Sequence, residues 1–181
     1  MPLGLDDLVV ARVRAAAGPR FAVRRVSFGK DAFQAYDHPE IKLFGSSEDN
    51  LKTVVQKIAQ GSGCERYVVV VRFTRGAIAG TNQAITGIGI VNFGALGLDR
   101  TWAHAITGIR VYDGRTFTIL KKGTGTMANR NLLTDVLPVP HRKLDKFPWP
   151  ATPEALAGAR EQVRSLLAQS LDTVLPELLA P

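Results

Sequence analysis

Three histidines, one cysteine and a glycine-rich run are the features of this chain best suited to chemistry. His38, His104 and His141 lie far apart in sequence and show no metal-ligand spacing. A metal site would therefore need the fold to gather them with carboxylates, and none is expected. Cys64 is the single cysteine. It excludes an internal disulfide and any multi-thiolate metal centre, and beside a strand it reads as a small buried hydrophobe. No Gly-x-Ser-x-Gly elbow and no Cys/His arrangement is present. His104 is expected in a strand on the same face as Trp102 and Ile106, as a core or edge histidine. Asp135, His141 and Asp145 share one proline-rich segment. No residue earns a catalytic assignment, and neither a cofactor nor a metal is expected.

The glycines raise the question of phosphate binding. A dinucleotide loop needs them between a strand and a helix N-terminus, where backbone amides meet the pyrophosphate. Gly87-Ile88-Gly89 instead sits inside an isoleucine-rich alternating pattern, and position 92 is Asn. Gly123-Thr124-Gly125-Thr126 follows a strand pattern without a helix after it, and Gly29-Lys30 is followed by Asp31. Close packing is the better account of residues 84–97. With a loop centred near residue 98, Gly87 is expected roughly opposite Gly108, with Trp102 or Phe93 filling the groove.

The best candidate for a functional surface is the connection that carries Arg72, Thr74, Arg75, Thr81, Asn82 and Gln83, suited to an anionic ligand or an acidic partner. Net charge is +7. Residues 66–122 hold eight Lys and Arg against two Asp and Glu, whereas residues 31–65 hold three against six. No block of five or six like charges exists, and no aromatics interleave with the cations as stacking platforms, so nucleic acid is disfavoured. No apolar run approaches the roughly 18 residues that span a bilayer. The first residues lack a basic region followed by an apolar core, so no signal peptide is expected.

These residues must be positioned by a chain of 181 residues, a natural size for one domain covering 1–181. Leu5, Leu8, Val9, Val13 and Ala16 recur at helical spacing over about 4–17, ended by Gly18-Pro19. Phe21–Val26 reads as a strand. Ser46 and Ser47 cap a second helix, with a stripe of Leu51, Val54, Val55 and Ile58 and a stop at Gly61-Ser62-Gly63. Tyr67–Val71, with no polar face, reads as a central strand covered on both sides, parallel to the first through a crossover. The near-repeat of residues 84–88 in 105–109 suggests a long hairpin. Asp113-Gly114 marks a two-residue hairpin loop. Residues 123–150 contain four prolines and read as an extended surface segment. Residues 152–180 form a last helix with an inner stripe of Leu156, Val163, Leu166, Leu167, Ser170 and Val174. The fold class is α/β (α+β): a mixed, mostly antiparallel sheet of about five strands flanked by three helices.

The run Arg66-Tyr67-Val68-Val69-Val70-Val71-Arg72, the glycine-containing strand after it, and Ile109-Arg110-Val111-Tyr112-Asp113-Gly114-Arg115-Thr116 resemble the α/β domain of bacterial envelope proteins over residues 20–122. That group includes the curli secretion channel subunit, the N-terminal domain of the Tol-system periplasmic protein, and lipoprotein activators of peptidoglycan synthases. The resemblance implies a non-catalytic interaction or assembly domain of a bacterial protein, binding a protein partner or itself through the hairpin 84–112. It implies a periplasmic location if the N-terminus is trimmed; without a signal peptide the location is cytoplasmic by default. The alternative is a small anionic-ligand-binding protein or enzyme, with a site between residues 72–83 and 123–150 and candidate residues Arg72, Arg75, Asn82, Gln83 and His141.

Overall fold

Helical periodicity and end signals act locally, and the elements they specify form where expected. A computed structural model describes residues 4–29, 31–37, 47–73, 76–78, 84–94, 100–126 and 137–180. Its long helices are α1 (Leu5–Ala17), α3 (Ser47–Ala59) and α4 (Pro153–Leu178), with a short α2 (Gln34–Asp37). The strands are β1 (Arg66–Arg72), β2 (Gly76–Ala77), β3 (Ala84–Ile85), β4 (Ile88–Phe93), β5 (Arg100–Ala105), β6 (Thr107–Asp113), β7 (Ile119–Thr124), β8 (Leu137–Pro138) and β9 (His141–Leu144). They form three three-stranded sheets in the orders β1-β6-β7, β3-β2-β8 and β4-β5-β9. The class is thus α/β, mixed and mostly antiparallel; among the described residues β2 pairs parallel with β8. No helix among the described residues is long and apolar enough to cross a membrane.

The chain divides into two compact units, one of residues 1–23, 70–109 and 122–181, the other of 24–69 and 110–121. In the first, α4 starts with the Thr152 hydroxyl accepting the Ala155 N–H at 3.2 Å, with Pro153 in the first turn. Val163, Leu166, Leu167, Ser170, Leu171, Leu175 and Leu178 make its buried stripe. Leu156, expected in that stripe, is 46% exposed, so the buried face begins one turn later. Helix α1 packs along α4, tied by Arg12 to Asp172 (3.1 Å) and by Arg164 Nη1 donating to the Gly4 carbonyl (2.9 Å).

β5 is the middle strand of its sheet, antiparallel to β4 and β9. Leu144, paired with Thr101, lines a cleft against α4, so the buried Thr101, Ala103 and Ala105 share the face that α4 covers. The opposite face carries Val91, Phe93 and Trp102, which pack on a core of Ile78, Ile85, Ile106 and Val139. Trp102 and Phe93 therefore fill this core rather than a glycine groove.

The two long strands expected over 84–93 and 105–111 are each broken. Gly87 adopts φ +68 and separates β3 from β4, while Ile106 separates β5 from β6. Gly87 N–H donates to the Phe73 carbonyl at 2.9 Å, and Ile106 N–H donates to the Gly87 carbonyl at 2.8 Å. Three strands change partners at this node. Because the register places Ile88 opposite Ala105, Gly87 meets Ile106 and not Gly108. A left-handed backbone is what Gly87 supplies.

Glycines also seat α4. Gly125 N–H donates to the Thr107 carbonyl (2.9 Å), its own carbonyl accepts from Ser170 Oγ (3.0 Å), and Ser170 Oγ lies 3.3 Å from Thr107 Oγ1. Thr107 and Ser170 are both fully buried, so this small polar network is satisfied within the core. Gly123-Thr124-Gly125 is a helix seat.

In the second unit, α3 buries Leu51, Val54, Val55 and Ala59 and ends with Ser62 Oγ donating to the Ala59 carbonyl at 2.6 Å. Tyr67 joins Ser62 Oγ at 2.7 Å and stacks on Phe117 with ring centroids 5.4 Å apart. The turn after β6 is longer than the two-residue loop expected. Asp113 N–H donates to the Thr118 carbonyl, Phe117 takes φ +54, and Asp113 Oδ1 accepts from the Arg115 and Thr116 amides and the Thr116 hydroxyl at 2.9, 2.7 and 2.9 Å. Those bonds, from Thr116 above all, hold the Asp113 carboxyl below its ordinary pKa. Cys64 is half-buried rather than buried, and its sulfur accepts from Arg24 Nε at 3.2 Å. Phe21–Val26 joins no ladder among the described residues, so the expected parallel crossover is absent there. By strand order β1 is an edge strand and β6 the central one, the reverse of the expectation for Tyr67–Val71.

Candidate functional site

The anionic-ligand surface expected around residues 72–83 is only partly described. Arg75, Asn82 and Gln83 lie outside the described residues, as do Thr74, Thr81, His38 and Asp135. Arg72 ends β1, and its aliphatic stem lies along Gly87: a Cβ there would stand 3.1–3.2 Å from Arg72 Cβ, Cγ and Cδ. His141 opens β9, with its ring 5.2 Å from that of Trp102 in an edge-on contact. Asp145 is paired with Lys143 at 2.9 Å. Arg72 and His141 are thus engaged by different neighbours.

A concave surface among the described residues of this unit lies elsewhere, where residues 142–148 adjoin the first turns of α4. A cleft of about 380 Å³ is lined by Arg142, Lys143, Asp145, Lys146, Phe147 and Gln162, among others. Its floor exists because α4 presents Ala155, Gly158 and Ala159 there, and nothing lies within 4 Å of a Cβ placed on Gly158. Three cations and one carboxylate are among the lining residues. Gln162 Oε1 is buried without a hydrogen-bond partner. Trp149 (53% exposed) and Leu156 (46%) place large apolar surface on residues adjoining the lining in sequence. The sequence signal for this cleft was the His-Arg-Lys-Leu-Asp-Lys run of 141–146, whose alternate placement depends on β9 pairing with β5.

On β9 the fold also does what the sequence spacing left undone, because it pairs two of the histidines. In the β5/β9 ladder His104 is the Cα partner of His141. His104 is 5% exposed, and its Nε2 lies 3.3 Å from the Thr86 carbonyl. Burial drives its pKa below the ordinary histidine value, opposed by that hydrogen bond. His104 Nδ1 is buried without a partner, as is Trp102 Nε1. No group of three or more His, Cys, Asp or Glu side chains arranged to hold a metal occurs among the described residues.

Compared with models of protein families, with curated proteins and with solved structures, the chain has no match in any of the three.

Proposed function

We propose that the protein is a non-catalytic interaction domain whose β9–α4 cleft takes an acidic segment of a protein partner. The cleft itself carries this reading: its lining includes Arg142, Lys143 and Lys146 with a single carboxylate, Asp145, beside Ala155, Gly158 and Ala159 of α4. Cations beside exposed Trp149 and Leu156 have the composition of a protein-binding surface, where aromatic and arginine anchors dominate. The lining holds no nucleophile with a base beside it; its one carboxylate, Asp145, is held by Lys143. The pattern-level resemblance to bacterial envelope domains supports the same reading.

The test is a titration of the full chain with a synthetic peptide of alternating glutamate and leucine, read by the fluorescence of the exposed Trp149. Saturable binding that weakens with salt is expected. Charge reversal at two cleft positions, Arg142→Glu with Lys146→Glu, should weaken it about tenfold, because each exposed pair contributes about 0.2–1 kcal/mol and reversal adds repulsion. Binding unaffected by the reversals would refute the assignment of the cleft. Sedimentation velocity of the same proteins distinguishes a second copy as the partner: a dimer dispersed by the reversals would place self-association at this cleft.

A further inference from the structure

We propose that His104 and His141 form a two-imidazole binding site for a divalent first-row transition ion, with copper(II) or zinc(II) the best match to their chemistry. The geometry starts from the ladder. Ala105 N–H donates to the Pro140 carbonyl at 3.0 Å, which makes 105/140 a hydrogen-bonded pair. His104 and His141, one step along in the same register, are therefore a non-hydrogen-bonded pair, the kind whose Cα atoms approach to about 4.5 Å with both side chains on one face. The edge-on contact of His141 with Trp102 agrees, because Trp102 lies two residues from His104 and so shares its face.

The hydrogen bonds then fix which nitrogen of each ring is free. A carbonyl only accepts, so His104 carries its proton on Nε2, toward Thr86, and leaves the Nδ1 lone pair bare. His141 Nδ1 lies 2.7 Å from the Val139 carbonyl, so its proton is on Nδ1 and its Nε2 lone pair is the ligating one. Each imidazole is thus oriented by a backbone carbonyl with its other nitrogen left for an ion, the arrangement that characterises metal-ligating histidines. A buried imidazole nitrogen with no partner is a cost that an ion removes. The Trp102 N–H, buried on the same face without an acceptor, suits a water bound to that ion. Two protein nitrogens leave the remaining coordination positions to water or to a further ligand, and imidazole preference with the divalent affinity order puts copper(II) first. His141 is half-buried, which gives an ion a route in.

The probe is copper(II) sulfate added to the full-length Trp149→Phe protein, so that emission comes from Trp102 alone. Its ring lies 5.2 Å from that of His141, within reach of quenching by a bound copper ion. Quenching is expected to saturate at one equivalent and to reverse with EDTA. His141→Gln and, separately, His104→Gln should each weaken binding at least about tenfold, since loss of a ligand costs no less than loss of an outer-shell partner; His38→Gln should leave it unchanged. His141→Gln keeps the test decisive should the buried His104→Gln fail to fold. Quenching that never saturates, or that survives His141→Gln at the same affinity, would overturn the proposal.

Discussion

Replacing Gly125 with alanine puts a methyl group where Ser170 Oγ already stands. The added carbon would also lie 2.7 Å from the Ser170 carbonyl oxygen and 2.9 Å from Thr107 Oγ1, well inside ordinary contact. Neither β-strand nor helix can yield by rotating a long side chain, because both Ser170 and Thr107 are fully buried and short. Overpacking of this kind costs about 1–3 kcal/mol, and a buried hydroxyl deprived of its partner about 1–3 kcal/mol more. The two share one displacement of α4, so about 2–4 kcal/mol is expected in total. For a chain of this size that lowers the melting temperature by about 4–16 °C. Thermal melts by circular dichroism with urea midpoints measure it. Adding Ser170→Ala removes the Oγ clash but not the carbonyl one, so the double variant should regain part of the loss. A melting temperature within about 2 °C of the unmutated protein would refute the claim that Gly125 exists to seat α4.

Gly158→Ala on the same helix has the opposite expected sign. Open space surrounds its Cβ, so alanine should raise unfolding free energy by about 0.5–1 kcal/mol in denaturant titration. Gly87→Val forces a β-branched residue to φ +68 beside Arg72 and should cost at least about 1–2 kcal/mol, whereas Gly89→Ala, whose nearest neighbour is His104 Cε1 at 3.9 Å, should leave the melt close to its starting value. His104 titrates with a folded pKa below its unfolded value near 6.5, so its contribution is present above that pH and is lost as pH falls through the lower folded value. Urea midpoints measured between pH 8 and 5 should therefore decline, and His104→Leu should flatten that decline.

What was legible in the sequence was what local physics decides. Caps and 3.6-residue spacing placed α1, α3 and α4 to within a residue or two of their observed ends. The strands were harder, because alternation runs unbroken through Gly87 and Ile106. Their breaks are set by hydrogen bonds to Phe73 and to each other, which no local pattern encodes. Phe21–Val26 has strand propensity but no ladder among the described residues, since propensity cannot supply a neighbour. Leu156 fits a helical stripe by spacing, yet the helix meets its partners only further along. The pairing of His104 with His141 depends on β9 adding to the far edge of β5, a tertiary choice invisible at either residue. The cleft follows from the same choice, because β9 carries its cations to the start of α4.

The contact between α1 and α4 has a consequence for biosynthesis. Arg12 and Asp172 are separated by 160 positions, and the unit they belong to also needs residues 70–109. A chain leaving the ribosome at about 5–20 residues per second makes α1 many seconds before its partner helix exists. During that interval Val13 and Ala17, and the Gly123-Thr124-Gly125 seat once it is made, remain uncovered. Translation order therefore leaves this unit without its closing element until α4 emerges. Nascent chains stalled before residue 153 should be open to protease in α1, and chains released after α4 should be protected there.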